Sequence, residues 1–409
     1  MQRNALCHII LPLTRALTCL LLTTLALAAQ AAETYSALIT DAETGEALPF
    51  VQIYISEGRG TISNSEGQFC IEAEPWEQLI ITCIGYQRMR IKAADLPHTL
   101  RLLPAETELR EVTVVASGNI LKQVAQQMEL DYRKHKNAYT YYYMRQTYRM
   151  EEAVEMAEAY FTAYSANNLR QVKFLAGRVF HGQKGEQKLA LDFSNIHSAL
   201  SLAPMIKGEV FWREVSIPLN RKSTDSRYTF EDGYQTSITS QTDQEGKRIL
   251  CIHMQRTQTK KTHKAAMSGN LYVEADSLRP ICFRGKIEEL RLETALNGEQ
   301  KTKKATIDIN ISYSHEQGFN KVTSIYTRLK SKGIDCQTTT YNVDNLSITD
   351  ESFNNRSDNL ITAIRHTSKD AAWWKKNIIQ PTEAEKKIIK AGERKQTDRP
   401  STHKNTDKL

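Results

Sequence analysis

Histidine, cysteine, carboxylate and clustered aromatic side chains are the groups that could do chemistry in this chain. After residue 31 the histidines stand at 98, 135, 181, 197, 253, 263, 315, 366 and 403. A zinc centre needs imidazole, thiolate or carboxylate ligands whose spacing lets them converge. None of these histidines opens an HxxE pair, HExxH is absent, and the one His-Glu neighbour, His315-Glu316, runs on as Gln317-Gly318-Phe319. The GxSxG elbow, the GxxxxGK[ST] phosphate loop and the GxGxxG fingerprint are absent too. No catalytic, cofactor-binding or metal-binding residue is therefore assigned, no cofactor is expected, and the ligand-binding residues are unknown. A triad or carboxylate pair meeting only in space stays open. That keeps a hydrolase with a dispersed site as a distant reading.

Two further groups have a chemical and a structural reading. Tyr139, Tyr141 and Tyr143 alternate along AYTYYYMRQTYRM, so they share one face of a strand. Such a stripe can stack on sugars, but more often it is the packed face of a sheet, where tyrosine is favoured, and that is the reading taken. Beyond residue 31 the cysteines are Cys70, Cys83, Cys251, Cys282 and Cys336, an odd number without a CxxC. They read as small buried side chains. Cys70 and Cys83 flank a short turn at Glu74-Pro75-Trp76-Glu77, and whether they bond depends on strand register.

The elements that would position these groups begin after an export signal. Arg3 and Arg15 make a positive start, no acidic residue precedes Glu33, and Ala16–Ala28 is almost wholly apolar. That run is shorter than the roughly 20 residues of a spanning helix. Ala29-Gln30-Ala31 supplies the small-x-small cleavage pattern, so residues 1–31 are read as a removable secretory signal. Cys19 follows Ala16-Leu17-Thr18, a poor lipid-attachment sequence, and no lipidation is expected. The formal charge of +7 becomes +5 when Arg3 and Arg15 leave. From Lys386 to Leu409, eight basic residues against three acidic ones give +5, so the body between is neutral. A basic tail implies no nucleic-acid face on the folded part.

From Tyr35 to about Leu103 short strands alternate with turn chemistry, including Gly45, Pro49 and the tight Asn64-Ser65-Glu66-Gly67 turn. LIITCIGYQRMRI reads as one further strand, with Gly85 marking a bulge or a close backbone approach. Seven or so strands in this length is sandwich spacing. The stretch Asp41-x-x-Thr44-Gly45-Glu46-x-Leu48-Pro49-Phe50-Val51-x-Ile53, then Gly60-Thr61-x-Ser63-Asn64-x-Glu66-Gly67-x-Phe69, then Ile84-Gly85-Tyr86 resembles the carboxypeptidase regulatory-like domain, a transthyretin-like sandwich. Ala37 departs from the glycine common at that point in the family. The resemblance implies a non-catalytic module. It accompanies the catalytic unit in zinc carboxypeptidases and precedes the plug in TonB-dependent transporters of Gram-negative outer membranes. Glu108–Ala116 (ELREVTVVA) resembles the strand that leaves the domain in such surface proteins.

A helix is expected from Ser117 to about Asn137, with Ile120, Leu121, Val124, Met128 and Tyr132 at helical spacing. Gln171 to Asp350 is mostly strand-like. SGNLYVEADSLRPI and the strands after it resemble a unit of surface proteins that carry the same sandwich, similar to the half-barrels of periplasmic lipoprotein carriers. Trp373 and Trp374 are expected to staple the tail to the body, and Thr382 with Glu385 reads as a capping box. After Ala116, 293 residues remain, and a plug with a 22-stranded transporter barrel needs several hundred more; a smaller barrel of eight to fourteen strands fits the length, but a mean hydropathy of −0.49 leaves few outward apolar bands.

The expected protein is mainly β: a signal peptide over 1–31, a seven-stranded transthyretin-like sandwich over 32–104, a linker strand and helix over 105–137, a larger antiparallel curved-sheet (half-barrel-like) α+β domain over 138–365, and a short helix with a basic disordered tail over 366–409. Its expected role is non-catalytic binding or scaffolding in the periplasm or at the outer membrane, with a protein partner there and no nucleic acid. The alternative is a periplasmic carrier of a lipid or other apolar ligand held in the curved sheet.

Overall fold

A computed structural model describes residues 32–56, 59–105, 118–150, 153–167, 169–181, 234–242, 247–256, 266–296, 299–315, 318–343, 364, 371–374 and 379–397. The leader, the strand expected at Glu108–Ala116, Ser117 at the expected helix start, and the basic residues past 397 lie outside them.

The fold is mainly β, as the turn spacing implies. Seven strands build the sandwich: β1 (Glu33–Asp41), β2 (Gln52–Ser56), β3 (Arg59–Ile62), β4 (Gln68–Ala73), β5 (Gln78–Thr82), β6 (Met89–Lys92) and β7 (Thr99–Leu102). They form a three-stranded sheet, β4-β1-β7, and a four-stranded sheet, β3-β2-β5-β6. Alternation supplies the core between them, where Ile39, Ile53, Phe69, Leu79 and Ile81 are wholly buried. The stretch around Gly85 is not one strand. β5 ends at Thr82, β6 begins at Met89, and Gly85 sits between them at φ +87, a left-handed turn position with nothing within 4 Å of an added Cβ.

This topology also settles Cys70 and Cys83. β4 and β5 are consecutive but belong to opposite sheets, so their connection crosses the sandwich instead of closing a hairpin. Among the described residues no disulfide joins these two, nor any of Cys251, Cys282 and Cys336.

Helix α1 (Gly118–His135) follows, and then ten strands: β8 (Tyr139–Met150), β9 (Ala153–Tyr164), β10 (Arg170–His181), β11 (Tyr234–Thr242), β12 (Arg248–Arg256), β13 (Ala266–Glu274), β14 (Pro280–Leu296), β15 (Glu299–Ser314), β16 (Lys321–Ser331) and β17 (Ile334–Asn342). They make one open antiparallel sheet, ordered β10-β9-β8-β17-β16-β15-β14-β13-β12-β11. Register shifts within β9–β10, β13–β14, β14–β15 and β15–β16 are bulges, which bend and twist the sheet into its half-barrel curve.

The inner face of that sheet is apolar. Leu121, Val124 and Met128 form one buried stripe of α1 and join Tyr142, Phe161, Ile252, Phe283, Ile311 and Ile325 in a single core. A polar seam pins the helix at one rim. Arg279 makes a two-pronged bond to Asp131 (Nε–Oδ2 3.0 Å, Nη2–Oδ1 3.1 Å), Asn167 donates to the Met128 carbonyl, and Asn320 donates to Asn167 at 2.9 Å.

Helix α2 (Glu383–Thr397) lies on the outer face, against β9 and β10. Five residues of the basic run, Lys386, Lys387, Lys390, Arg394 and Lys395, therefore belong to this helix and not to an irregular tail.

Candidate functional site

Where the sandwich, the outer face of the large sheet and the start of α2 meet, the structure concentrates its charged and aromatic side chains. Strand alternation puts Tyr143, Arg145 and Thr147 of β8 on the outer face, opposite Tyr160, Glu158 and Met156 of β9. Glu158 is fully buried, and three donors converge on it. Arg145 Nε reaches Oε1 at 2.8 Å, Arg178 Nε of β10 reaches Oε2 at 2.6 Å, and the Tyr143 hydroxyl donates to Oε1. Burial works to raise the Glu158 carboxyl, but the Arg145 and Arg178 guanidiniums outweigh it and hold the group below its ordinary value. Burial pushes the Tyr143 phenol the other way, well above its own ordinary value.

Helix α2 joins this cluster through its first turn. The Thr382 backbone N–H donates to Glu385 Oε2 at 2.8 Å and the Glu385 N–H to Thr382 Oγ1 at 3.3 Å, a capping box. The same carboxylate accepts from Thr147 Oγ1 at 3.2 Å and faces Arg145 Nη1 at 3.5 Å. Trp373 and Trp374 pack on Tyr160 at 5.1 and 5.3 Å between ring centroids, and the Arg178 guanidinium lies 4.3 Å over Trp374. The tryptophan pair thus staples the end of the chain to the sheet.

The sandwich completes the junction. Ile62 is buried against Tyr143 and Tyr160, Phe50 stacks on Tyr326 of β16 at 3.9 Å, and Gln52 Nε2 donates to Thr323 Oγ1 at 3.2 Å. Phe50 holds φ +59 there, a strained conformation for an aromatic residue that the stack fixes in place. Asn64 has two tasks: its Oδ1 accepts from the Glu66 and Gln68 N–H groups, both at 2.9 Å, and its Nδ2 donates to the Gln380 carbonyl at 3.0 Å. Further along, Arg284 of β14 donates to the Ile84 carbonyl and the Cys83 sulfur, each at 3.4 Å. A small cleft of about 20 Å3, room for little more than one water molecule, lies between Asn64, Arg145, Thr339, Thr382 and Glu385.

This arrangement is a clamp of opposed charges. Glu158 and Glu385 balance Arg145 and Arg178, and the buried carboxylate spends its acceptor oxygens on donors within the cluster. The residues with assigned expectations are dispersed. Of the tyrosine stripe, Tyr143 is buried in the cluster and Tyr139, half a strand away, is exposed and edge-on to Tyr164. His253 contacts Asn270 Oδ1 at 2.8 Å, His315 Nε2 contacts Asn320 Oδ1 and the Pro280 carbonyl, and His135 stacks on Phe319. Among the described residues no three His, Cys, Asp or Glu side chains are grouped to hold a metal ion. Arg145, Glu158 and Arg178 escaped the sequence reading. Their one signal is a charge at a position where strand alternation calls for an apolar residue.

Comparison with known proteins identifies the first module. Residues 38–114 match the CarboxypepD_reg-like domain family, which places Asp41, Asn64 and Tyr86 within a known sandwich type. No curated protein matches the chain. A DUF1329 family protein from Desulfovibrio piger is similar over 57% of this chain and 95% of its own length, at 9% identity and a TM-score of 0.21, too slight a likeness to carry an argument.

Proposed function

We propose that the chain is an exported, non-catalytic protein that binds or scaffolds a protein partner in the periplasm or at the outer membrane. The observation that supports this most is the seat of the sandwich. Its four-stranded sheet and the β3–β4 turn are fastened to the large sheet and to α2 by the Phe50, Gln52, Asn64 and Arg284 contacts. The sandwich is then held in a fixed seat on the body. A module fixed in this way presents surface, and a rigid presented surface is what a scaffold requires. The leader-like residues 1–31 support export. The most concentrated group of titratable side chains supports the non-catalytic reading, because each is committed to another member of the cluster.

The test is fractionation of the producing cell, with protease accessibility at the cell surface and identification of whatever co-purifies. Retention in the envelope with stoichiometric protein partners supports the proposal; a cytoplasmic location ends it. The carrier alternative has one observation in its favour, the continuous apolar inner face of the sheet. Against it, the α1 stripe packs on that same face. Native mass spectrometry separates the two, since a carrier purifies with lipid bound.

A further inference from the structure

Among the described residues the large sheet is open and ends in two edge strands, β10 and β11. An edge exposes unpaired N–H and C=O groups, and sheet proteins blunt that hazard with charge, bulges, proline or short strands. β10 is defended: it carries Arg170, Lys173 and Arg178, and its register with β9 is broken twice. In the sandwich, the edge strands β3, β6 and β7 are each four residues long and each contain a basic residue, and β4 is six residues long.

β11 has none of these devices. Its nine residues, Tyr234-Gln235-Thr236-Ser237-Ile238-Thr239-Ser240-Gln241-Thr242, include no charge, no proline and no glycine. Its register with β12 runs unbroken from Tyr234↔Arg256 to Thr242↔Arg248. Among the described residues, β12 is its one strand neighbour.

The strand is also nearly the same read in either direction. Turned antiparallel on itself about Ile238, it sets Gln235 opposite Gln241, Thr236 opposite Ser240 and Ser237 opposite Thr239, with Ile238 meeting its own copy. At the central pairs hydroxyl faces hydroxyl, and such cross-strand pairs stabilise antiparallel ladders. Strand alternation places Ile238 on the inner face, where it packs on the apolar core, so two such residues would continue that core across the join. No like charges oppose one another, because there are no charges.

We infer that the side of β11 away from β12 is a self-association surface: it pairs antiparallel with β11 of a second copy of this chain, about a two-fold axis at Ile238, and joins two ten-stranded sheets into one. Nine residue pairs would add roughly eight to ten backbone hydrogen bonds, since alternate pairs exchange two each. The interface is isologous and therefore closes at two copies.

The test uses the full exported chain, purified after processing, with its mass in solution measured across the micromolar range. The wild type is expected at twice the single-chain mass. In the antiparallel register Ser237 faces Thr239 of the other copy, so S237K/T239K sets lysines against lysines and should halve the mass. S237K/T239E sets lysine against glutamate and should restore the doubled mass. Circular dichroism checks that both variants fold. Hydrogen exchange on the wild type reads the same surface without substitution: the β11 amides that point away from β12 should be protected and lose that protection on dilution. A wild type that stays single, a doubled mass untouched by S237K/T239K in a folded protein, or β11 amides that exchange freely in the doubled species would each overturn the inference.

Discussion

Asn64 of the sandwich and Gln380 at the start of the C-terminal segment are joined by a 3.0 Å hydrogen bond, although 316 residues of chain separate them. The same Asn64 side chain holds the Glu66 and Gln68 amides of its own turn. One residue of the sandwich motif therefore shapes the motif's turn and ties the module to the far end of the chain. Asn64→Ala should remove both effects and cost about 1–2 kcal/mol, the range for losing a turn-forming side chain with a buried hydrogen bond. Asn64→Asp keeps the turn acceptor but cannot donate to Gln380. Urea unfolding of both variants reads the difference, and an Asn64→Asp protein as stable as wild type would mean that the Gln380 bond contributes nothing.

The Glu158 cluster makes a sharper statement. Replacing one member of a buried ion pair leaves its partner uncompensated, which costs about 3–5 kcal/mol. Glu158→Gln should show that loss by strandedness of Arg145 and Arg178, whereas Arg145→Met with Glu158→Leu should lose less than the sum of the single changes. The pH dependence has a definite sign. The Glu158 carboxyl is held below its ordinary value in the folded state. Its contribution is therefore present above the unfolded carboxyl range near pH ~4.3 and fades as pH falls through the folded value. The wild type should lose more stability than Glu158→Gln between neutral pH and strongly acidic pH, measured by thermal unfolding across a pH series.

Helix α2 depends on its capping box. Thr382→Ala should cost about 1 kcal/mol. Glu385→Ala should cost more, because that carboxylate also meets Thr147 and Arg145 on the sheet. Hydrogen exchange within residues 383–397 locates the effect, and faster exchange confined to the first turn in both variants would show that the sheet contacts add nothing.

At the opposite rim, the Asp131–Arg279 bond fastens α1 over the apolar inner face. Asp131 is almost wholly buried, so Asp131→Ala should destabilise by about 2–3 kcal/mol. If α1 is a fixed part of the core, an apolar dye should bind wild type and Asp131→Ala equally weakly at temperatures well below unfolding. Strong dye binding by the folded variant, with native secondary structure, would favour the carrier alternative.

The thiols allow a chemical check. Burial raises the Cys70 thiol to about 11 and the Cys282 thiol to about 12, so both stay protonated and slow to alkylate at pH 8 in the folded protein. Mass mapping after a short alkylation pulse should find Cys83, half-exposed, labelled ahead of Cys70 and Cys282. A Cys70–Cys83 disulfide in the purified protein would contradict the placement of those residues in opposite sheets.

Much of the fold was legible because it rests on local physics. Turn residues mark the sandwich strands, the Leu121, Val124 and Met128 stripe marks α1, and the Thr382–Glu385 spacing marks the start of α2. What stayed hidden depends on long-range pairing. Nothing near Phe69 or Leu79 says that β4 and β5 join different sheets, and β17 finds β8 across nearly two hundred residues. The Glu158 cluster was hidden for the same reason, since its members come from β8, β9, β10 and α2 and meet only once the sheet order is set.

The central claim is that the carboxypeptidase regulatory-like sandwich is built into the body as one presented surface. Native-state hydrogen exchange of the purified protein tests it most directly, by comparing wild type with a Phe50→Ala and Asn64→Ala double variant. The account predicts that the wild-type amides of β2 and β3 exchange together with those of β8, β16 and β17, as one cooperative unit. The double variant should split that unit, with the sandwich opening at lower free energy than the sheet. A wild-type sandwich that already opens independently of the large sheet would contradict the claim and return the module to a freely tethered domain.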